Sequence, residues 1–154
     1  MTIKFAINIP PHPQERPRFR NLGKFTQTYD PPKSKEYKKK IANVAKMYAP
    51  GTPISTPIQI KLVFFVPIPK SKSKAWKQRA VLGQEFPAVR PDIDNFTKAV
   101  LDALNGIMFS DDGKIVELIA YKRYSDLPRT EVSITELVSE VQTKLFYKNW
   151  RKKK

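Results

Sequence analysis

The residues best equipped for chemistry lie between Arg90 and Asp112, in the stretch RPDIDNFTKAVLDALNGIMFSDD. The chain has seven aspartates, and five of them (Asp92, Asp94, Asp102, Asp111 and Asp112) fall here. Residues 1–89 carry 17 Lys and Arg against 4 Asp and Glu, and residues 118–154 carry 9 against 4. Residues 90–117 reverse the balance, with 3 against 6. Carboxylates crowded in so basic a chain repel one another unless a cation sits among them, and oxygen ligands suit hard divalent ions. Such ions, held by two or three carboxylates, activate water and neutralise the charge that builds on a phosphodiester under attack. Mg²⁺ keeps several waters and takes only one or two protein carboxylates, which suits a sparse ligand set.

The surrounding elements must bring these groups together. Asp92 and Asp94 stand at the start of an expected helix whose apolar stripe is Phe96, Val100, Ala103 and Leu104, with Asn105-Gly106 as its C-cap. Asp94, Lys98 and Asp102 follow one another at i, i+4 and i+8, so they share one helix face. The chain then reverses, and Asp111-Asp112-Gly113 opens the next strand, which can return Asp111 or Asp112 to the helix start. Lys98 can offer its ammonium to a phosphate or leaving group. Plainer roles exist for each residue: one first-turn aspartate caps the helix, and Asp-Asp-Gly makes an ordinary turn. Cysteine is absent and His12 is the single histidine, set among prolines, so thiolate metal sites and Ser-His or Cys-His nucleophiles lack support. His12 is expected to be a surface loop residue.

Ile3, Phe5, Ile7 and Ile9 alternate with Lys4, Ala6 and Asn8 as a half-buried strand does, ended by Pro10, Pro11 and Pro13. Arg16, Arg18, Arg20 and Lys24 then sit in a loop or hairpin suited to phosphate oxygens, or simply to water. Ser34 is the expected N-cap of a helix through Tyr37, Ile41, Val44, Ala45 and Tyr48, with lysines toward solvent and Pro50-Gly51 as the stop. The strand from Ile58 to Val66 is apolar on both faces toward its end and is expected to be central. Residues 70–82 read as a short basic helix in which Trp76 is a packing anchor before it is a base-stacking platform. KIVELIAYKRY (114–124) and TEVSIT (130–135) are expected strands, joined as a hairpin through Leu127-Pro128. Leu137, Val141 and Leu145 suggest a final helix, so residues 1–136 form the expected domain and 137–154 a helical extension with a basic tail.

At 154 residues and 40% hydrophobic content the chain suits one folded domain. A formal net charge of +15 implies a polyanionic partner, nucleic acid before an anionic membrane surface or a ribosomal structural role. No apolar run reaches the ~18 residues of a membrane-spanning helix, and the N-terminus lacks signal-peptide features, so a soluble cytoplasmic protein is expected.

Most of the chain resembles the RusA family of Holliday junction resolvases, often carried by phages and prophages. The likeness runs from Arg16-Pro17-Arg18-Phe19 through RPDIDNFTKAVLDALNG to SDDGKIVEL, and the Asp-x-Asp-Asn-x-x-Lys helix start is its most specific part. The resemblance implies a dimeric α+β endonuclease, a small mixed sheet with helices packed against it. It implies dependence on Mg²⁺ or Mn²⁺, no small-molecule cofactor, and paired symmetric nicks across a four-way DNA junction in recombination and repair. By the same resemblance Asp92, Asp94 and Asp112 are the metal ligands, with Asp111 able to replace Asp112, and Lys98 joins them in catalysis. Arg16, Arg18, Arg20, Lys24 and Arg90 are the expected nucleic-acid contacts. Residues 137–154 run past the end of the family's shorter members. Two other readings stay open: a non-catalytic basic nucleic-acid-binding module, and a metal nuclease for flaps or other branched DNA.

Overall fold

The most apolar strand takes the middle of the sheet. In β4 (Ile58–Pro67) the alternate side chains Ile58, Ile60, Leu62 and Phe64 are all fully buried on one face, and both of its edges are paired. The computed structural model describes residues 1–137 and, beyond them, Lys148 alone; the expected C-terminal helix and basic tail lie outside the described residues. In chain order the elements are β1 (Thr2–Ile7), β2 (Arg18–Asn21), β3 (Thr26–Tyr29), α1 (Pro32–Tyr48), β4, α2 (Lys74–Val81), α3 (Ile93–Leu104), a short 3₁₀ turn (Asp112–Lys114), β5 (Ile115–Ser125) and β6 (Arg129–Glu136). The main sheet has the order β1-β6-β4-β5, antiparallel except for the parallel pair β4–β5. The class is therefore α+β with a mixed sheet, as expected from the sequence.

The expected hairpin between β5 and β6 does not form. The two strands are consecutive in the chain but lie on opposite sides of β4: Leu62 pairs with Ala120 on one side and with Val132 on the other. Period-two alternation shows that a segment is a strand but not which neighbour it takes. Here β4 takes the place between them and pairs with both.

One face of the sheet carries the core. Phe5 and Ile7 of β1, the β4 set, and Val132 and Ile134 of β6 pack beneath α1 and α3. α3 presents Phe96, Ala99, Val100, Ala103 and Leu104 to the sheet, and Phe96 stacks on Phe64 with ring centroids 5.3 Å apart. The helix ends where Gly106 adopts φ +77°, a left-handed conformation that costs glycine nothing. α1 packs against α3 and β1.

Two expectations about α1 need correcting. Its N-cap is Pro31, with Pro32 pre-set for the first helical position, whereas Ser34 is buried inside the helix. There the Ser34 hydroxyl donates to Glu15 Oε2 at 3.2 Å and lies 3.4 Å from His12 Nε2. His12 does lie in a loop, as expected, but is half-buried rather than at the surface, and its ring packs against that of Tyr37 with centroids 5.6 Å apart. α2 is shorter than the basic stretch suggested and is capped by Ser73, whose hydroxyl accepts from the Trp76 amide. Trp76 does act as an anchor, edge-on to Tyr124 of β5 at 5.3 Å.

Candidate metal and nucleic-acid site

α3 is firmly held by its apolar stripe, but its first turn stands clear of the core: Asp92, Ile93, Asp94 and Asn95 are all exposed. Asp92 occupies the N-cap position, yet its carboxylate makes no capping bond. The plain capping role therefore does not consume it. Asp94 accepts the Asn95 amide at 2.9 Å through Oδ1. Both carboxylates sit at the positive end of the helix dipole, where negative charge is favoured.

Along the same helix face, Asp94, Lys98 and Asp102 line one shallow groove with Ile93, Thr97 and Leu101. The opposite wall comes from Asp112, Leu118 and Ala120, and the groove volume is about 390 Å³. The return of the chain after Gly106 thus brings the second aspartate of the pair to the helix. The first, Asp111, is occupied otherwise: its Oδ2 accepts the Gly113 amide at 3.0 Å, closing the turn before β5. A side chain on Gly113 would start 2.8 Å from that same oxygen, so the turn has no room for one unless Asp111 moves.

The structure gathers Asp94, Lys98, Asp102 and Asp112 at one groove, whereas Asp92 and Asp111 are not among its lining residues. Among the described residues, no three His, Cys, Asp or Glu side chains stand close enough together to enclose an ion. A hard cation that retains several waters requires only one or two carboxylates, and Asp94 with Asp112 supplies that number with the right oxygen chemistry.

Asp102 belongs to a different network. Its carboxylate receives Lys98 at 3.4 Å and Lys38 of α1 at 3.4 Å, and Lys38 also reaches Asp30 at 2.9 Å. The Lys38 ammonium beside Asp30 is the main reason that carboxyl is held below its ordinary value. Sequence reading placed the α1 lysines in solvent; Lys38 instead turns inward to join α1, α3 and the end of β3. No spacing rule signals this, because a single inward lysine looks like its exposed neighbours.

The cationic segment folds as expected into a hairpin, β2–β3, with Arg18 opposite Tyr29 and Arg20 opposite Gln27. Arg16, Arg18, Arg20 and Lys24 are all exposed, as are Phe19 and Phe25 between them. The Arg20 guanidinium lies 5.4 Å from the centre of the Tyr29 ring. The base of the hairpin is tied to α3, since the Gln14 amide donates to Asn95 O at 2.9 Å and the Gln14 side chain reaches Asp30. Arg90 is exposed just ahead of the first turn of α3. Lys122 of β5 was not singled out in the sequence, yet its ammonium donates to Val89 O at 2.6 Å and to Pro91 O at 2.8 Å. Among the described residues no helix is long and apolar enough to cross a membrane.

The chain has recognisable relatives among known proteins. A family model described as "Endodeoxyribonuclease RusA" matches residues 8–135. The chain is 39% identical over 137 residues to "Uncharacterized protein YqaN" of Bacillus subtilis (strain 168), covering 88% of this chain and 96% of that protein. It is 26% identical over 136 residues to "Crossover junction endodeoxyribonuclease rusA" of Lactococcus phage r1t, covering 88% and 97%.

Proposed function

Because this chain belongs to the RusA family of endodeoxyribonucleases, we propose that it is a divalent-metal-dependent enzyme resolving four-way DNA junctions by paired symmetric nicks in recombination and repair. It acts as a homodimer, since a junction offers two strands to cut and each chain brings its own Asp94–Asp112 groove. The observation that carries this reading is the meeting of Asp94, Lys98 and Asp112 at one groove, in a chain that also presents an exposed cationic hairpin.

Asp94 and Asp112, with Asp92 at the N-cap of the same helix, would hold Mg²⁺ or Mn²⁺, which supplies water of lowered pKa and neutralises charge on the phosphoryl oxygens. The rest falls to the protein's own groups. Arg16, Arg18, Arg20 and Lys24 grip phosphates flanking the cut, and Arg90 does so near the helix start. Lys98 is 63% exposed and only loosely paired with Asp102, so its ammonium can swing to a phosphate or to the leaving oxygen. Asp102 keeps that ammonium at the groove until DNA arrives.

The open arrangement of the carboxylates favours one rival, a binding module that cuts nothing. Labelled four-way junctions, flaps and single strands incubated with the protein in Mg²⁺ and in Mn²⁺ separate the readings. Symmetric nicks in the junction, outpacing cuts in the other substrates, are the expected result. An intact junction in both ions overturns the enzyme, and preferential flap cleavage overturns the junction preference.

A further inference from the structure

Asp92, Ile93, Asp94 and Asn95 at the start of α3 are exposed, and the residues before them, 84–91, make few backbone bonds. Among the described residues these are Gln84 N to Arg79 O and Ala88 N to Phe86 O. Besides the Arg79–Glu85 ion pair from α2, at 2.9 Å, the segment is held by side chains from β5, the edge strand of the sheet. Lys122 and Arg123 are adjacent and therefore point to opposite faces. Lys122 takes the face it shares with Leu118 and Ala120, which line the groove, and holds Val89 O and Pro91 O. Arg123 takes the other face and places its guanidinium 5.1 Å from the centre of the Phe86 ring and 5.1 Å from that of Tyr121. The segment is thus strapped around the strand edge, gripped on both sides.

We infer that Lys122 is a positioning residue: by holding Val89 and Pro91 it sets where the first turn of α3 presents Asp92 and Asp94 toward Asp112. The grip is on both sides of Arg90 and ends one residue short of Asp92. The Gln14–Asn95 bond secures the other end of that turn, so the turn is clamped from β5 and from the N-terminal loop. One ammonium serves two main-chain oxygens with two of its three protons, which a neutral side chain of similar shape cannot imitate. The inference rests on the metal-site reading proposed above, but it concerns this chain's own order and is testable without the ion.

The sign of the effect on ion binding separates positioning from mere charge. A lysine that acted only as a nearby positive charge would repel a divalent cation, and its removal would tighten binding. A lysine that holds the ligands in place would, when removed, weaken it. The full chain, Lys122→Met and Lys122→Arg are compared by hydrogen exchange in metal-free protein, by Mn²⁺ titration, and by junction affinity in EDTA. Lys122→Met is expected to speed exchange across residues 89–97 and to weaken Mn²⁺ binding by about tenfold or more. Its junction affinity in EDTA stays at the wild-type level, and Lys122→Arg recovers part of both losses. Wild-type exchange in Lys122→Met, or tighter Mn²⁺ binding, overturns the inference; so does weakened junction affinity with unchanged exchange, which would make Lys122 a phosphate-binding residue. Should the wild type bind no Mn²⁺, the metal-site reading fails, while the exchange comparison still decides whether Lys122 orders the turn.

Discussion

Adjacent aspartates divide their labour at the turn before β5. Asp111 spends an oxygen on the Gly113 amide, whereas Asp112 faces the groove that Asp94 also lines. Replacing them by asparagine should therefore give unequal results. Asp112→Asn is expected to lower junction cleavage by ~100-fold or more while leaving binding in EDTA intact, because a metal ligand is removed but the cationic surface is not. Asp111→Asn should keep most activity and cost about 1 kcal/mol or less of stability, the scale of a weakened cap. Cleavage rates and melting curves of the two variants side by side check this. At this scale the sequence was partly legible. The spacing of Asp94, Lys98 and Asp102 fixes a shared helix face without further information, but spacing alone left Asp111 and Asp112 equivalent. Lys38 and Lys122 were illegible, since nothing local distinguishes a lysine that turns inward or clamps a carbonyl from one in water.

Among the elements, α3 is the one whose placement matters most, and both of its ends make specific demands. At its C-terminus Gly106 sits at φ +77°, so Gly106→Ala forces an L-residue into the left-handed region and should cost about 1 kcal/mol. Chemical denaturation reads that as a lower midpoint with an unchanged slope. Beside its middle, the Asp30–Lys38–Asp102 chain ties the hairpin base and α1 to α3. The Asp30 carboxyl is held below its ordinary value of 3.8, first by the hydrogen bond from Lys38 and, less, by the Lys38 charge, against some opposing burial. A depressed folded-state value means that stabilisation is present above pH 3.8 and is lost as pH falls through the lower folded value. Asp30→Asn should accordingly melt below wild type at neutral pH, with the gap closing under acid. A gap that persists unchanged at about pH 2 would contradict that origin. Helix and strand positions were mostly legible from period and punctuation. The separation of β5 from β6 was not, because alternation names no partner and β4 pairs with both strands.

Over the whole molecule, the chain carries a formal net charge of +15, while the described groove between α3 and β5 is lined by Asp94, Asp102 and Asp112. A charge of this sign and size draws a polyanion to the surface. Affinity for junction DNA should fall steeply with salt. Arg18→Ala, Arg20→Ala and Lys24→Ala should each flatten the log–log slope by ~0.9 for every phosphate left without its cation. An unchanged slope in the triple variant would remove the hairpin from the interface. The central claim is that Asp94 and Asp112 share a divalent ion across the α3–β5 groove. Anomalous scattering from a crystal soaked in Mn²⁺ tests it most directly. A manganese peak in that groove within ~2.2 Å of oxygens from both aspartates is the predicted result. Ordered density for both side chains with no peak between them would contradict it.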